Sequence, residues 1–399
     1  MNVFVSNFRY LWDYAKQHRV VLWATLLLFF MCTHNVAIEG DAINPLKTGV
    51  MCLAVFSVLF IKNTSKALLL GGMYWGWCYL AALMAGPVRF STLGFLAMHI
   101  FSFVALYGLI RSKYFTLDYF VKFVVFLIQL YAIVLILQQL CIIVGVRSFF
   151  LLNLVNQQWL SLTKLPSLAL EPSHAARILT VLMLCYLRCE PLTKGRRLIG
   201  VKELFSKEHR FVSFPFLWSM MTMGSGTAFA GLGILSLYFV RAKTCIVAIP
   251  VLIGLVYLGE IMEVEQMGRA TRLASAVASG ADIQEMEEAD GSGASRIIPM
   301  VNTLTKTDLL DIQSWIGTGT MERQTAVVMM DKSRKMDMVQ QYGIISAIIS
   351  IIFIYSLCIR HVFSLESLLC LVLFGFTLGN ITYLWGAMEL FAISSMFRK

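Results

Sequence analysis

Apolar runs recur along nearly the whole chain, and their spacing constrains the fold more than any motif does. They fall at residues 20–38, 48–62, 67–86, 91–110, 119–146, 174–188, 212–224, 226–240, 244–259, 342–359, 364–379 and 381–397. A helix crosses the bilayer core with about 20 apolar residues, so the pattern predicts an all-α polytopic membrane protein with about twelve transmembrane helices. Composition agrees: 58% of residues are hydrophobic and 14% charged, against about a quarter charged in an ordinary soluble domain. A soluble globular fold is excluded, and so is a single anchor. Residues 212–240 are too long for one straight span, and Gly224-Ser225-Gly226 predicts a break into two short helices there.

In such a chain the position of each cation matters more than the net charge of +10. Counted from a cytoplasmic N-terminus, alternate loops hold Arg9, Lys16 and Arg19, then Lys62 and Lys66, Arg111 and Lys113, Lys194 through Arg210, Arg241 and Lys243, Arg360, and finally Arg398 and Lys399. The other short loops hold very few basic residues. This bias predicts cytoplasmic N- and C-termini, with the net positive charge directed at the membrane and not at nucleic acid. It also favours the break at Gly224, because one continuous helix would carry Arg241 and Lys243 to the outer side. The first apolar run follows about 19 mostly polar residues and continues at spanning length, so no cleavable signal peptide is expected. Cys32, Cys52, Cys78, Cys141, Cys185, Cys245, Cys358 and Cys370 fall in apolar runs without any CxxC, and read as small core residues.

Two outward loops exceed a tight hairpin, at about 147–173 and 260–341. The chain therefore divides into helices one to nine (1–259), a large helical non-cytoplasmic loop (260–341), and helices ten to twelve (342–399). The large loop passes Asp290-Gly291-Ser292-Gly293, resumes helical periodicity from Arg296 to Trp315, and ends that stretch at Gly317-Thr318-Gly319. No internal repeat is evident, which counts against repeat-built transporters.

Outward-facing charges near the membrane are costly and carry a partner or a task. Arg89 follows Gly86-Pro87 and reads either as a residue snorkelling to headgroups or as an anion site. In Glu171-Pro172-Ser173-His174-Ala175-Ala176-Arg177, Pro172 suits a first helical turn, and His174 and Arg177 share a face about one turn into the membrane. Arg177 either forms a buried pair with Glu171 or offers a bidentate fork to phosphate, with Glu171 or His174 accepting a proton from an attacking hydroxyl. Arg296 follows a Gly- and Ser-rich turn at a helix start, a surface arginine or an anion ligand. Lys332, Arg334 and Lys335 cluster at the outer surface, against the inner-side preference. P-loop, HExxH, GxSxG and Cys/His metal spacings are missing, and no acidic Dxx(D/E) pair stands out in the first outer loop. The site so described is basic and metal-free.

These residues resemble the multispanning O-antigen polymerases of the Wzy type, within the O-antigen ligase and polymerase superfamily. The resemblance rests on Leu170-Glu171-Pro172-Ser173-His174 leading into a helix and on Thr222-Met223-Gly224-Ser225-Gly226-Thr227 before a small-residue helix. It rests also on Asp290 to Arg296 in a late outer loop, with Gly317-Thr318-Gly319 one helix later. It implies a GT-C-like fold and a glycosyltransferase without cofactor or metal. Such an enzyme joins polyprenyl-diphosphate-linked glycans at the periplasmic face, building O-antigen or capsular polysaccharide beside membrane lipids and a chain-length regulator. By position Arg296 matches the large-loop arginine, Arg177 the arginine after the Glu-Pro motif, and Arg89 more loosely a third. The diphosphate-binding set is then Arg89, Arg177, Arg296 and Lys332, and the catalytic set Glu171, His174, Arg177 and Arg296. Residues 320–341 lack the histidine that ligases and many polymerases carry after Gly-x-Gly, a departure from the family pattern that counts against a ligase. A polysaccharide flippase or secondary transporter, and a structural membrane subunit, are the readings from other classes.

Overall fold

The computed structural model of the chain describes residues 2–34, 45–61, 65–86, 88–145, 164–240, 308–319, 338–375 and 378–398. Among these residues every regular element is a helix. In chain order they are α1 (Asn2–Gln17), α2 (Arg19–Cys32), α3 (Pro45–Ser57), α4 (Ser65–Ala85), α5 (Phe90–Leu109), α6 (Leu117–Val144), α7 (Pro172–Thr193), α8 (Val201–Leu204), α9 (Arg210–Thr222), α10 (Gly226–Ser236), α11 (Ile312–Ile316), α12 (Met338–Leu357), α13 (Leu365–Leu369) and α14 (Thr382–Phe397). A π-helical turn, Cys370–Phe374, extends α13. Every apolar run coincides with a helix except 244–259, which lies outside the described residues.

The expectation of about twelve spans needs correction. Among the described residues three helices, α4, α5 and α6, are both long and apolar enough to cross a membrane. α2, α3, α10, residues 341–357 of α12 and residues 365–374 are apolar but shorter. At 1.5 Å per residue the 14 residues of α2 rise about 21 Å, less than the roughly 30 Å hydrocarbon core. Other runs are cut internally. Ser225 is extended between α9 and α10 (φ −122°, ψ 125°), Gly343 is non-helical inside α12, and Gly375 ends the π-helical turn. α7 has 22 residues, but Arg177, Arg188 and Glu190 dilute its apolar character.

Local chemistry explains where the long helices begin and end. Thr116 caps α6 by accepting the Tyr119 N–H at 3.3 Å, with Asp118 in the first turn against the helix dipole. Gly145 closes α6 in the left-handed region, its N–H turned back to Ile142. α7 starts where Glu171 is extended and Pro172 takes the first helical position, since proline lacks only an N–H that no helical carbonyl would have accepted.

α7 is the central helix, packed against α6, α10 and α14, while α4 packs on α5 and α12, and α2 on α5 and α14. Phe103, Phe353 and Trp385 interlock α5, α12 and α14, with ring centroids 5.0–6.0 Å apart. Where α14 crosses the end of α2, a Cβ on Gly386 would stand 2.5 Å from the Met31 carbonyl oxygen, so only glycine permits this approach.

The bundle has two chemically different ends. At one, the starts of α5, α7, α12 and α14 meet the end of α2 and the Gly317–Gly319 segment. There Asn380 donates to the Thr92 carbonyl at 2.9 Å, His34 N–H to Leu168 at 2.7 Å, and Gly319 N–H to Gln341 at 3.0 Å. At the other, Arg188 and Arg398 converge on the buried Glu366 at 3.3 and 2.8 Å, and Lys66 reaches the Ser356 carbonyl at 3.0 Å. α9 and α10 both start or finish at this second end. His209 meets Tyr186 at 2.6 Å before α9, and after α10 the Tyr238 hydroxyl donates to Leu187 at 2.8 Å. The break at Gly224-Ser225 therefore makes a helical hairpin, as the sequence predicts.

Candidate functional site

The Glu171–Arg177 segment lies at the first of these ends. The first two turns of α7 put His174 and Arg177 on one face, and α14 brings Tyr383 against both. Arg177 is 8% exposed. Its Nη1 donates to the Tyr383 hydroxyl, its Cζ lies 4.9 Å from the Tyr383 ring, and its Nε has no hydrogen-bond partner among the described residues. The His174 ring packs 4.1 Å from the Tyr383 ring, and its Nε2 lies 3.6 Å from Glu171 Oε2. Ser173 donates to the same carboxylate oxygen at 3.2 Å. Glu171 is 43% exposed at its side chain, so the group runs from a solvated carboxylate inward to a buried guanidinium.

The alternative of a buried Glu171–Arg177 ion pair is not what forms. Glu171 pairs with His174, and Arg177 makes no ion pair among the described residues. A phenol oxygen is a neutral acceptor, so this contact leaves the guanidinium without a counter-charge among the described residues. Arg89 caps the start of α5 at the same end, three residues before the Thr92 carbonyl that Asn380 binds. Arg296 and Lys332 lie outside the described residues, as does the Asp290–Ser295 turn.

Gly317-Thr318-Gly319 has a packing role. Gly317 (φ +82°) and Gly343 (φ +73°) bring the end of α11 and the start of α12 backbone to backbone, and a Cβ on Gly343 would collide with the Trp315 carbonyl. Trp77 of α4 braces this join by donating to the Tyr342 carbonyl at 2.9 Å.

Two groups escaped the sequence reading. Tyr383 is 206 residues from Arg177, in a run whose local pattern says only "apolar helix". Deeper in the bundle Glu389 is 1% exposed with both oxygens lacking a hydrogen-bond partner among the described residues, and Lys47, 5% exposed, donates to the Thr33 carbonyl at 2.9 Å. An acid inside an apolar run is the signal that marks such a residue in sequence.

At the opposite end Glu190, Glu208 and His209 bring ligand-type atoms within 4.8 Å of one another. Lys194 supplies the cation for this group, 2.6 Å from Glu190 and hydrogen-bonded to Glu208. Burial opposes the Lys194 charge, but its bonds to Glu190 and Glu208 outweigh that and raise its pKa. The hydrogen bond from Lys194 in turn holds the Glu208 carboxyl below its ordinary value. An apolar cavity of about 320 Å³, lined by Met183, Leu187, Leu204, Phe216, Leu232 and Leu235, also sits toward this end, away from Arg177. No protein-family model, curated protein or solved structure matches the chain.

Proposed function

We propose that the chain is a polysaccharide polymerase of the O-antigen type. In this reading it is a glycosyltransferase joining polyprenyl-diphosphate-linked oligosaccharide units at the periplasmic face of a bacterial inner membrane. The observation that carries the reading is Arg177, a buried guanidinium without a carboxylate partner among the described residues, held by Tyr383 beside the His174–Glu171 pair. In glycosyl transfer from a diphosphate the acceptor hydroxyl oxygen bonds to the anomeric carbon. The bond from that carbon to phosphate oxygen breaks with its electron pair, and the acceptor proton passes to a base. A preoriented guanidinium stabilises the charge left on the diphosphate, and His174 or Glu171 takes the proton. Arg89, Arg296 and Lys332 complete the anion site in this reading, with no metal or cofactor. Cytoplasmic termini and a GT-C-like arrangement belong to the same proposal. Its support is the concentration of cations at the end opposite Arg177.

One observation favours a second reading, a polysaccharide flippase or other secondary transporter. Helices interrupted at Gly224-Ser225, Gly343 and Gly375 are the kind that line transport sites. Surface-polysaccharide length separates the two. Cells lacking the protein are complemented with wild type, Arg177→Ala or Arg296→Ala at equal membrane abundance, and the glycan is resolved on a gel. A polymerase predicts a ladder with wild type and a single repeat unit with either variant. Loss of even the single unit assigns the chain to export or ligation, and an unchanged ladder overturns the polymerase.

A further inference from the structure

The N-terminal helix takes no part in the site around Arg177. α1 folds back through His18 onto α2 and runs antiparallel to the first turns of α6. Phe4 stacks on Phe126 at 5.2 Å, and the Tyr10 and Tyr14 hydroxyls donate to Asp118 and to the Tyr114 carbonyl, each at 2.9 Å. This contact buries Leu11 and Ala15. A second apolar face, Val5, Phe8 and Trp12, stays 47–50% exposed. Exposed Arg9 and Lys16 flank it, Lys16 Nζ lying 4.9 Å over the Trp12 ring, and Arg19 follows at the turn. From Asn2 to Arg19 Asp13 is the only acid. The 28 residues of α6 rise about 42 Å, about 12 Å more than a bilayer core. α1 packs on the 118–126 stretch, which itself rises about 12 Å. The 16 residues of α1 rise about 24 Å along α6, so its basic Lys16–Arg19 end belongs at the headgroups while its open aromatic face reaches the acyl boundary.

We propose that α1 is an interfacial helix that binds anionic phospholipid, with Val5, Phe8 and Trp12 in the acyl boundary and Arg9, Lys16 and Arg19 on the headgroups. Charge complementarity selects this occupant, because three cations against one acid attract a phosphatidylglycerol-type headgroup and repel a second copy of the same face. This does not depend on the polymerase reading, because it is tested without any glycan substrate.

The test places the full chain in nanodiscs of phosphatidylcholine and phosphatidylglycerol, with bromine carried on either lipid at equal mole fraction. Subtracting the Trp12→Phe fluorescence from wild type isolates Trp12 among the eight tryptophans. Each basic residue near an anionic surface is worth about fivefold. Brominated phosphatidylglycerol should therefore quench Trp12 at least about fivefold more effectively than brominated phosphatidylcholine. The preference should fall toward one in Arg9→Gln/Lys16→Gln and in high salt. Equal quenching by the two lipids in wild type overturns the proposal, as does a preference that survives the double substitution. Trp12 unquenched by either lipid, with a signal that depends on protein density in the disc, overturns it in favour of self-association.

Discussion

At the scale of single residues, the arrangement around Arg177 separates charge from geometry. Lysine keeps the charge at this position but loses the planar fork and the bond geometry to Tyr383. On the polymerase proposal, Arg177→Lys is therefore expected to abolish ladder formation at unchanged protein level, scored by gel against wild type. Tyr383→Phe retains the ring beside His174 and Arg177 and removes only the hydroxyl that accepts from Nη1. A hydrogen bond to a charged group is worth about 1.5–3 kcal/mol. A loss of that size corresponds to at least about a tenfold slower rate of repeat-unit joining by purified protein. A Tyr383→Phe protein as fast as wild type would mean that the phenol does not position Arg177.

At the scale of elements, the joins between helices carry the testable strain and charge. Gly343 combines a positive φ with a carbonyl where a Cβ would lie. Gly343→Ala is expected to cost about 1–3 kcal/mol or more, measured as a lower Tm in detergent, while alanine at Gly72, which has open space, should leave Tm nearly unchanged. The end of α7 and the start of α9 are tied through Lys194, Glu190 and Glu208. Glu208 titrates below its ordinary value when folded, so its contribution is present above the usual carboxylate pKa and is lost as pH falls through the depressed one. Lys194 titrates above its ordinary value, so its contribution is complete below the usual lysine pKa and lost as pH rises through the raised one. The stability difference between wild type and Glu208→Gln should accordingly be flat from about pH 5 to pH 10. It should shrink below about pH 4, as followed by thermal melts across pH.

At the scale of the whole molecule, the two ends predict sidedness. The break between α9 and α10 returns the chain to the end where Lys194, Arg196 and Arg210 lie, since Tyr238 touches Leu187 and Ile199. Reporters that are active only in the cytoplasm should therefore work when fused after Gly195 and after Tyr238, and fail when fused after Ser167. Activity at Ser167 would reverse the molecule and put Arg177 on the cytoplasmic side, against the polymerase proposal.

Sequence by itself determined the helical class, the positions of the apolar helices though not of α1, the break at Gly224-Ser225 and the start of α7 at Pro172. Each depends on residues close together in the chain: apolar composition, a glycine, a proline with its missing N–H. It also placed His174 and Arg177 on one face, because helical period alone decides that. Tertiary structure decided the rest. Apolar composition does not reveal where a run is cut, and so overstated, among the described residues, the number of helices able to cross a membrane. Whether Arg177 would meet Glu171 or Tyr383 depended on how α14 lies against α7, a contact spanning 206 residues. The exchange of a carboxylate for a phenol leaves the guanidinium without a counter-charge among the described residues, and only the packing of distant helices could settle it.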